Sequence, residues 1–346
     1  MYPRTVLILV CALIAMTSTS VALAAGEVRV ITDRTPSHLR PLLEQYEKQT
    51  GVKINVVFVD EGLIARLAAR PTEADLVITS TADILERAKR DKLLRPVSSD
   101  IISSIRPEFR DPDGTYVILS YRARALYISK DRVKPGEITR YEELADAKWR
   151  GRICIRSGYH RYNISLFAQM AADRGLEWTR TFLSGLRDNL ARKPKGNDRN
   201  QVRGIYEGVC DVAIANSYYM PIMLGRDDQR PWGQSANVVF PDQDDRGSYV
   251  MTGGMALTTA GRAVEEATRL MEFLVSEYGQ TFMVNTSFEY PVIDGIDMPA
   301  VNKELGKTQP QVVDGRFKAN VLPLRRIDDQ RSRIFSILDE INFDSK

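Results

Sequence analysis

Two adjacent phenols, Tyr218 and Tyr219, close the run Val209-Cys210-Asp211-Val212-Ala213-Ile214-Ala215-Asn216-Ser217. The run is short, apolar and partly β-branched, which predicts a buried strand of parallel type. In an open α/β sheet the ligand crevice lies just beyond the carboxyl ends of the strands. Tyr162 occupies a comparable place, in the loop Arg156-Ser157-Gly158-Tyr159-His160-Arg161-Tyr162-Asn163 between a predicted strand and a predicted helix. A helix start offers free N–H groups and the positive end of a dipole, a field that favours a phenolate. Three phenolates converging on one crevice present three hard oxygen donors, a set suited to a hard trivalent cation. The alternative is a wall of aromatic rings around an organic ligand.

Arg122 and Arg124 alternate along a predicted strand, so their guanidinium groups leave the same face. On an otherwise apolar strand they must meet an anion or a carboxylate. Arg34, in the first loop, is a third candidate for the same anion. Two histidines, His38 and His160, are too few for a typical transition-metal site, and His38 is expected at the surface. The acidic run Asp242-Gln243-Asp244-Asp245 lacks the distal glutamate of a calcium loop and predicts a solvated turn. There is no G-x-S-x-G, P-loop or dinucleotide fingerprint, so an enzyme reading has no nucleophile–base pair to stand on.

The elements that must position these residues follow a βαβαβα rhythm. Predicted strands at 28–31, 52–59 and 74–78 alternate with helices at 39–49, 63–69 and 84–94, which predicts a doubly wound parallel sheet. The stretch 116–129 is long enough to cross from one lobe to another, and 250–258, with Gly253-Gly254, reads as the return crossing. Helices are predicted at 163–174, 177–189, 261–278 and 328–341, with Asn197-Asp198 as a turn and N-cap.

The chain opens with Arg4, an apolar stretch from Val6 to Met16 and the cleavage signal Ala22-Leu23-Ala24. That pattern is a secretory signal peptide over 1–24, with Ala25 as the expected mature start and the periplasm as the expected address. Removing Cys11 leaves Cys154 and Cys210, an even number in an oxidising compartment, which predicts a disulfide; two buried thiols are the alternative. About 320 mature residues exceed what one core usually supports, so two lobes are expected. With 48 Lys and Arg against 45 Asp and Glu, the charge is nearly balanced, which argues against a nucleic-acid footprint.

The residues resemble the bacterial periplasmic ferric-iron-binding proteins that feed ABC importers. The likeness spans nearly all the mature chain: TGVKINVVF (50–58), ADLVIT (74–79), LSYRAR (119–124), RICIRSGYHRYN (152–163), GNDRNQVRGIYEGVCDVAIANSYY (196–219) and EYPV (289–292). It implies an α/β, two-lobed periplasmic-binding-protein fold, type II-like, with crossing hinge strands. The expected division is 25–122 with 252–315 for lobe 1, and 123–251 with 316–346 for lobe 2. By the same resemblance, Tyr162, Tyr218 and Tyr219 are expected to bind Fe³⁺. Arg34, Arg122 and Arg124 are then expected to hold a synergistic anion such as carbonate or bicarbonate. The implied protein is no enzyme; it acts as a monomer and passes its cargo to an inner-membrane ABC permease. The chain departs from the family in its first loop, Ile31-Thr32-Asp33-Arg34-Thr35-Pro36-Ser37-His38, which lacks the tyrosine or histidine many members place beside Arg34. The usual first-lobe ligand is then missing unless His38 or Asp33 stands in, and the three tyrosines with the anion or water are expected to complete the shell; Glu61 matches weakly an acidic ligand of distant members. A protein of the same fold for a small anionic or phosphorylated organic ligand is the alternative reading.

Overall fold

The computed structural model describes residues 26–345; the signal segment 1–24, Cys11 and the expected mature start Ala25 lie outside the described residues. The chain begins with β1 (Glu27–Thr32), α1 (Pro36–Thr50), β2 (Lys53–Phe58), α2 (Leu63–Ala69), β3 (Leu76–Thr79), α3 (Ile84–Arg90), β4 (Leu94–Arg95) and α4 (Asp100–Ser103). The long strand β5 (Val117–Ser129) precedes β6 (Ile153–Cys154), α5 (Arg161–Arg174), α6 (Leu176–Asp188), α7 (Asp198–Tyr206) and β7 (Val212–Asn216). Then come α8 (Tyr219–Leu224), α9 (Arg230–Gln234), β8 (Ala236–Val239) and the second long strand, β9 (Ser248–Thr258). The chain ends with α10 (Val264–Val275), α11 (Glu277–Ser287), α12 (Ala300–Lys303), β10 (Ala319–Asn320) and α13 (Leu324–Glu340).

The main path through the sheet runs β2-β1-β3-β9-β5-β7-β6. The β2-β1-β3 portion is parallel, as the βαβαβ rhythm requires. The sheet as a whole is mixed, which corrects the expectation of a parallel one. β9 enters antiparallel between β3 and β5, and β5 is antiparallel to both β9 and β7. Sequence periodicity cannot reveal this, because β9 pairs with strands more than a hundred residues earlier. β5 changes partners partway along. Val117–Ala123 pairs with β9, and Arg124–Ile128 pairs with β7. Arg122 and Arg124 therefore straddle the crossing point between two sheet regions.

Local chemistry sets the helix limits. α1 has Pro36 in its first turn, buries Leu39, Leu42, Leu43 and Tyr46, and stops at Gly51, whose φ of 73° suits glycine. The helix expected over 84–94 ends at Arg90, because Lys92 turns left-handed at φ 58° and Leu94 joins a strand. The helix expected over 261–278 is two helices: Ser276 leaves helical geometry and caps α11 by accepting a hydrogen bond from the Gly279 N–H. A disulfide joins Cys154 to Cys210, tying β6 to the segment that leads into β7. Among the described residues no helix is long and apolar enough to cross a membrane.

Candidate metal centre

Tyr162 lies in the first turn of α5 rather than in the loop before it, because α5 begins two residues earlier than expected, at Arg161. His160 is the N-cap, its Nδ1 accepting a hydrogen bond from the Tyr162 backbone N–H at 3.2 Å. The imidazole also meets the Tyr162 ring edge-on, at 4.7 Å between centroids. Burial, with Arg156 beside it, pushes the His160 imidazole down to about 3 and leaves it neutral.

β7 delivers the other two phenols. Its five residues are all buried, and its last, Asn216, is pinned by a backbone N–H to Asp198 Oδ2 (3.0 Å) and by its carbonyl to the Tyr127 hydroxyl (2.9 Å). Ser217 continues the anchoring through its N–H to the Ala123 carbonyl at 3.0 Å. The chain then turns at Tyr218 into α8, where Pro221 sits in the first turn, a position it tolerates. The rings of Tyr218 and Tyr219 are 4.3 Å apart. Burial first, then the neighbouring phenols, push the Tyr218 hydroxyl well above its ordinary value; burial and Asp198 raise Tyr219.

Around Tyr162 the charge is concentrated. The guanidinium carbons of Arg122, Arg124, Arg156 and Arg161 lie 5.4, 6.0, 5.4 and 5.7 Å from its ring centre. Their partners differ. Arg124 is fully buried and committed to Asp198 (2.6 Å), Asn216 (3.0 Å) and Asn163 (2.8 Å), the carboxylate solution to a buried strand arginine. Asp198 also takes Arg156 at 3.1 Å, and these two guanidinium groups hold its carboxyl low against burial. Arg34 pairs with Glu289 at 2.6 Å. Burial raises the Glu289 carboxyl, but Arg34, Arg122 and the Ser120 hydroxyl outweigh it and hold it at about 2.

Arg122 is different. Its Nη2 donates to the Ser80 carbonyl at 2.7 Å, while its buried Nε and Nη1 find no acceptor among the described residues; Arg124, Arg156 and Arg161 each leave only Nε so. Five guanidinium groups (Arg34, Arg122, Arg124, Arg156, Arg161) stand against three carboxylates (Asp33, Asp198, Glu289), an excess of two positive charges. An anion fits that excess, and the unpaired N–H groups of Arg122 are free to receive it.

The first loop reaches the same place. His38, expected at the surface, is half-buried and meets Tyr218 edge-on at 5.9 Å between ring centroids. Asp33 is buried, with Oδ1 accepting from the Ser80 N–H (2.6 Å) and Oδ2 facing Arg161 (3.2 Å). Glu61 is exposed, at the edge of a cleft of about 1030 Å³ that Asp33, Asp60, His160 and Arg161 also line. Among the described residues no three His, Cys, Asp or Glu side chains gather as a metal site, so phenols are the donors this centre offers. Asp198 and Glu289 had no functional reading from sequence. Asp198 looked like part of a turn, and Glu289 meets Arg34 across 255 residues of chain.

Comparison with known proteins gives a consistent picture. The family model for bacterial extracellular solute-binding proteins matches residues 72–315. Iron uptake protein A1 of Synechocystis is 33% identical over 321 residues, covering 91% of this chain and 86% of that protein. Iron uptake protein A2 of the same organism is 37% identical over 248 residues, 70% of this chain and 72% of the relative. Among solved structures, the apo ferric ion-binding protein A of Pasteurella haemolytica superposes with a TM-score of 0.85 at 35% identity, over 93% of this chain and 99% of that one. A Trichodesmium protein solved with iron and citrate superposes at 0.82 with 28% identity, over 92% and 100%. The two-lobed periplasmic-binding-protein fold with crossing hinge strands is thus the fold of this chain, and the chain belongs to the bacterial extracellular solute-binding protein family.

Proposed function

We propose that this protein captures ferric iron in the periplasm, holds it through the phenolates of Tyr162, Tyr218 and Tyr219, and passes it to an inner-membrane ABC permease. The observation that carries this reading is the pairing of Tyr218 with Tyr219 at the end of β7, beside Tyr162 under four guanidinium groups. Three phenolates neutralise a trivalent ion, and its charge displaces protons that burial otherwise holds on Tyr218 and Tyr219. The excess of two positive charges then remains for a dianion such as carbonate, received by Nε and Nη1 of Arg122. Arg34 and Arg124 support the anion at one remove, because each is already bound to a carboxylate. His38 stands nearest from the first loop and is the candidate for a fourth protein contact. The names of the relatives, iron uptake proteins and ferric ion-binding proteins, favour the same cargo.

In this reading residues 25–122 with 252–315 form one lobe, and 123–251 with 316–346 the other. They close on the cleft when it fills. The same guanidinium groups suit a small anionic or phosphorylated organic ligand stacked on the tyrosines, and colour separates the two cargoes. A visible-spectrum titration of the stripped mature protein with chelated Fe³⁺, with and without bicarbonate, is the test. A saturable band at one equivalent, lost when the three tyrosines become phenylalanine, is expected. No band, with iron left in the chelator, would refute the ferric site and favour the organic anion.

A further inference from the structure

We propose that Asp33 and Arg161 form a latch that holds the first loop against the tyrosine-bearing helix and so governs how fast bound metal leaves. The proposal rests on the ferric reading above. Asp33 follows β1 and Arg161 opens α5, so their 3.2 Å contact joins an element of the first sheet region to one beyond β6 in the second. The same Nη1 of Arg161 reaches the Asp60 carbonyl at 3.3 Å, a second tie to the first-lobe side. Asp33 is buried and both its oxygens are taken, which removes it from the metal-ligand candidates and gives it a different task.

The contact belongs to a closed circuit. Asp33 Oδ1 accepts from the Ser80 N–H, the Ser80 carbonyl accepts from Arg122, and Arg122 and Arg161 both lie over the Tyr162 ring. Opening the cleft must break this circuit at its one ion pair between side chains, Asp33–Arg161. Breaking it leaves Arg161 and Tyr162 together on α5 and frees the loop that carries Asp33 and His38. The pairs Arg331–Asp83 and Arg90–Asp328 also join α3 and the N-cap before it to α13. Of these three pairs, Asp33–Arg161 is the one whose arginine lies over Tyr162. The pair is partly open to solvent on the arginine side, so salt should weaken it.

The test uses the full mature chain loaded with Fe³⁺ and challenged with excess EDTA, with release followed as loss of the visible band. Asp33→Asn keeps an acceptor for the Ser80 N–H and removes the charge; Arg161→Gln removes the partner. Each is expected to release iron about tenfold or more faster than wild type, the scale of a hydrogen bond to a charged group. The double variant is expected to be no faster than the faster single one, and added salt should speed release from wild type only. Wild-type release rates in either single variant, or single effects that multiply in the double, would overturn the latch. A band shifted or lost in Asp33→Asn at saturating iron would also overturn it, by making Asp33 a ligand. No band in the wild type would instead overturn the ferric reading, and the latch with it.

Discussion

Loading iron at neutral pH should expel protons, and the structure sets a minimum number. An ordinary phenol loses its proton near pH 10. Burial raises Tyr218 well above that, with Tyr162 and Tyr219 adding to the cost of a negative charge, and burial with Asp198 raises Tyr219. Both are therefore protonated in the empty protein at pH 7 and must be ionised to bind a trivalent cation as phenolates. Each displaced proton makes the apparent binding constant rise about tenfold per pH unit, about 1.4 kcal/mol. The pair alone gives about a hundredfold per unit, with affinity falling as pH falls. Calorimetry in two buffers of different protonation enthalpy counts the protons, after subtraction of those taken up by the released chelator. At least two per iron are expected from the wild type. Tyr218→Phe and Tyr219→Phe should each remove one, and the double variant two. A count near zero, or one unchanged in the double variant, would refute tyrosinate ligation and leave the rings as a stacking wall.

Arg122→Gln should abolish the dependence on bicarbonate and weaken iron binding by about 1.5–3 kcal/mol, read from chelator competition with and without the anion. Arg124→Met should act on the fold, because it strands Asp198 buried and short of its main partner. A loss of about 3–5 kcal/mol is expected in chemical denaturation. The Glu289 carboxyl is held at about 2 against an ordinary 4.5. Its depressed value contributes stability that is present above pH 4.5 and lost as pH falls toward 2, and Glu289→Gln should flatten the acid unfolding curve in that window. Replacing Cys154 and Cys210 by serine should cost about 2–4 kcal/mol, seen as a lower Tm of the oxidised chain relative to wild type.

The legible part of this protein is the part governed by local pattern. The buried run before Asn216 marked β7, and its end marked Tyr218 and Tyr219. The alternation of Arg122 and Arg124 put both guanidinium groups on one face of the strand; that this face meets Tyr162 was not legible. Local pattern did not say what each arginine meets. Arg124 takes Asp198, 74 residues away, while Arg122 keeps free N–H groups, and nothing in the spacing separates these outcomes. Glu289 and the insertion of β9 between β3 and β5 depend on how distant segments cross. His38 read as a surface residue from sequence and is half-buried in the structure. Its edge-on contact with Tyr218, 180 residues on, is not legible from the local sequence.

The most direct test of the central claim is a crystal of the iron-loaded protein measured on both sides of the iron absorption edge. One anomalous peak is expected within bonding distance of the hydroxyl oxygens of Tyr162, Tyr218 and Tyr219, with a small anion against Arg122. A peak elsewhere, or an organic anion stacked on the three rings with no metal, would contradict it.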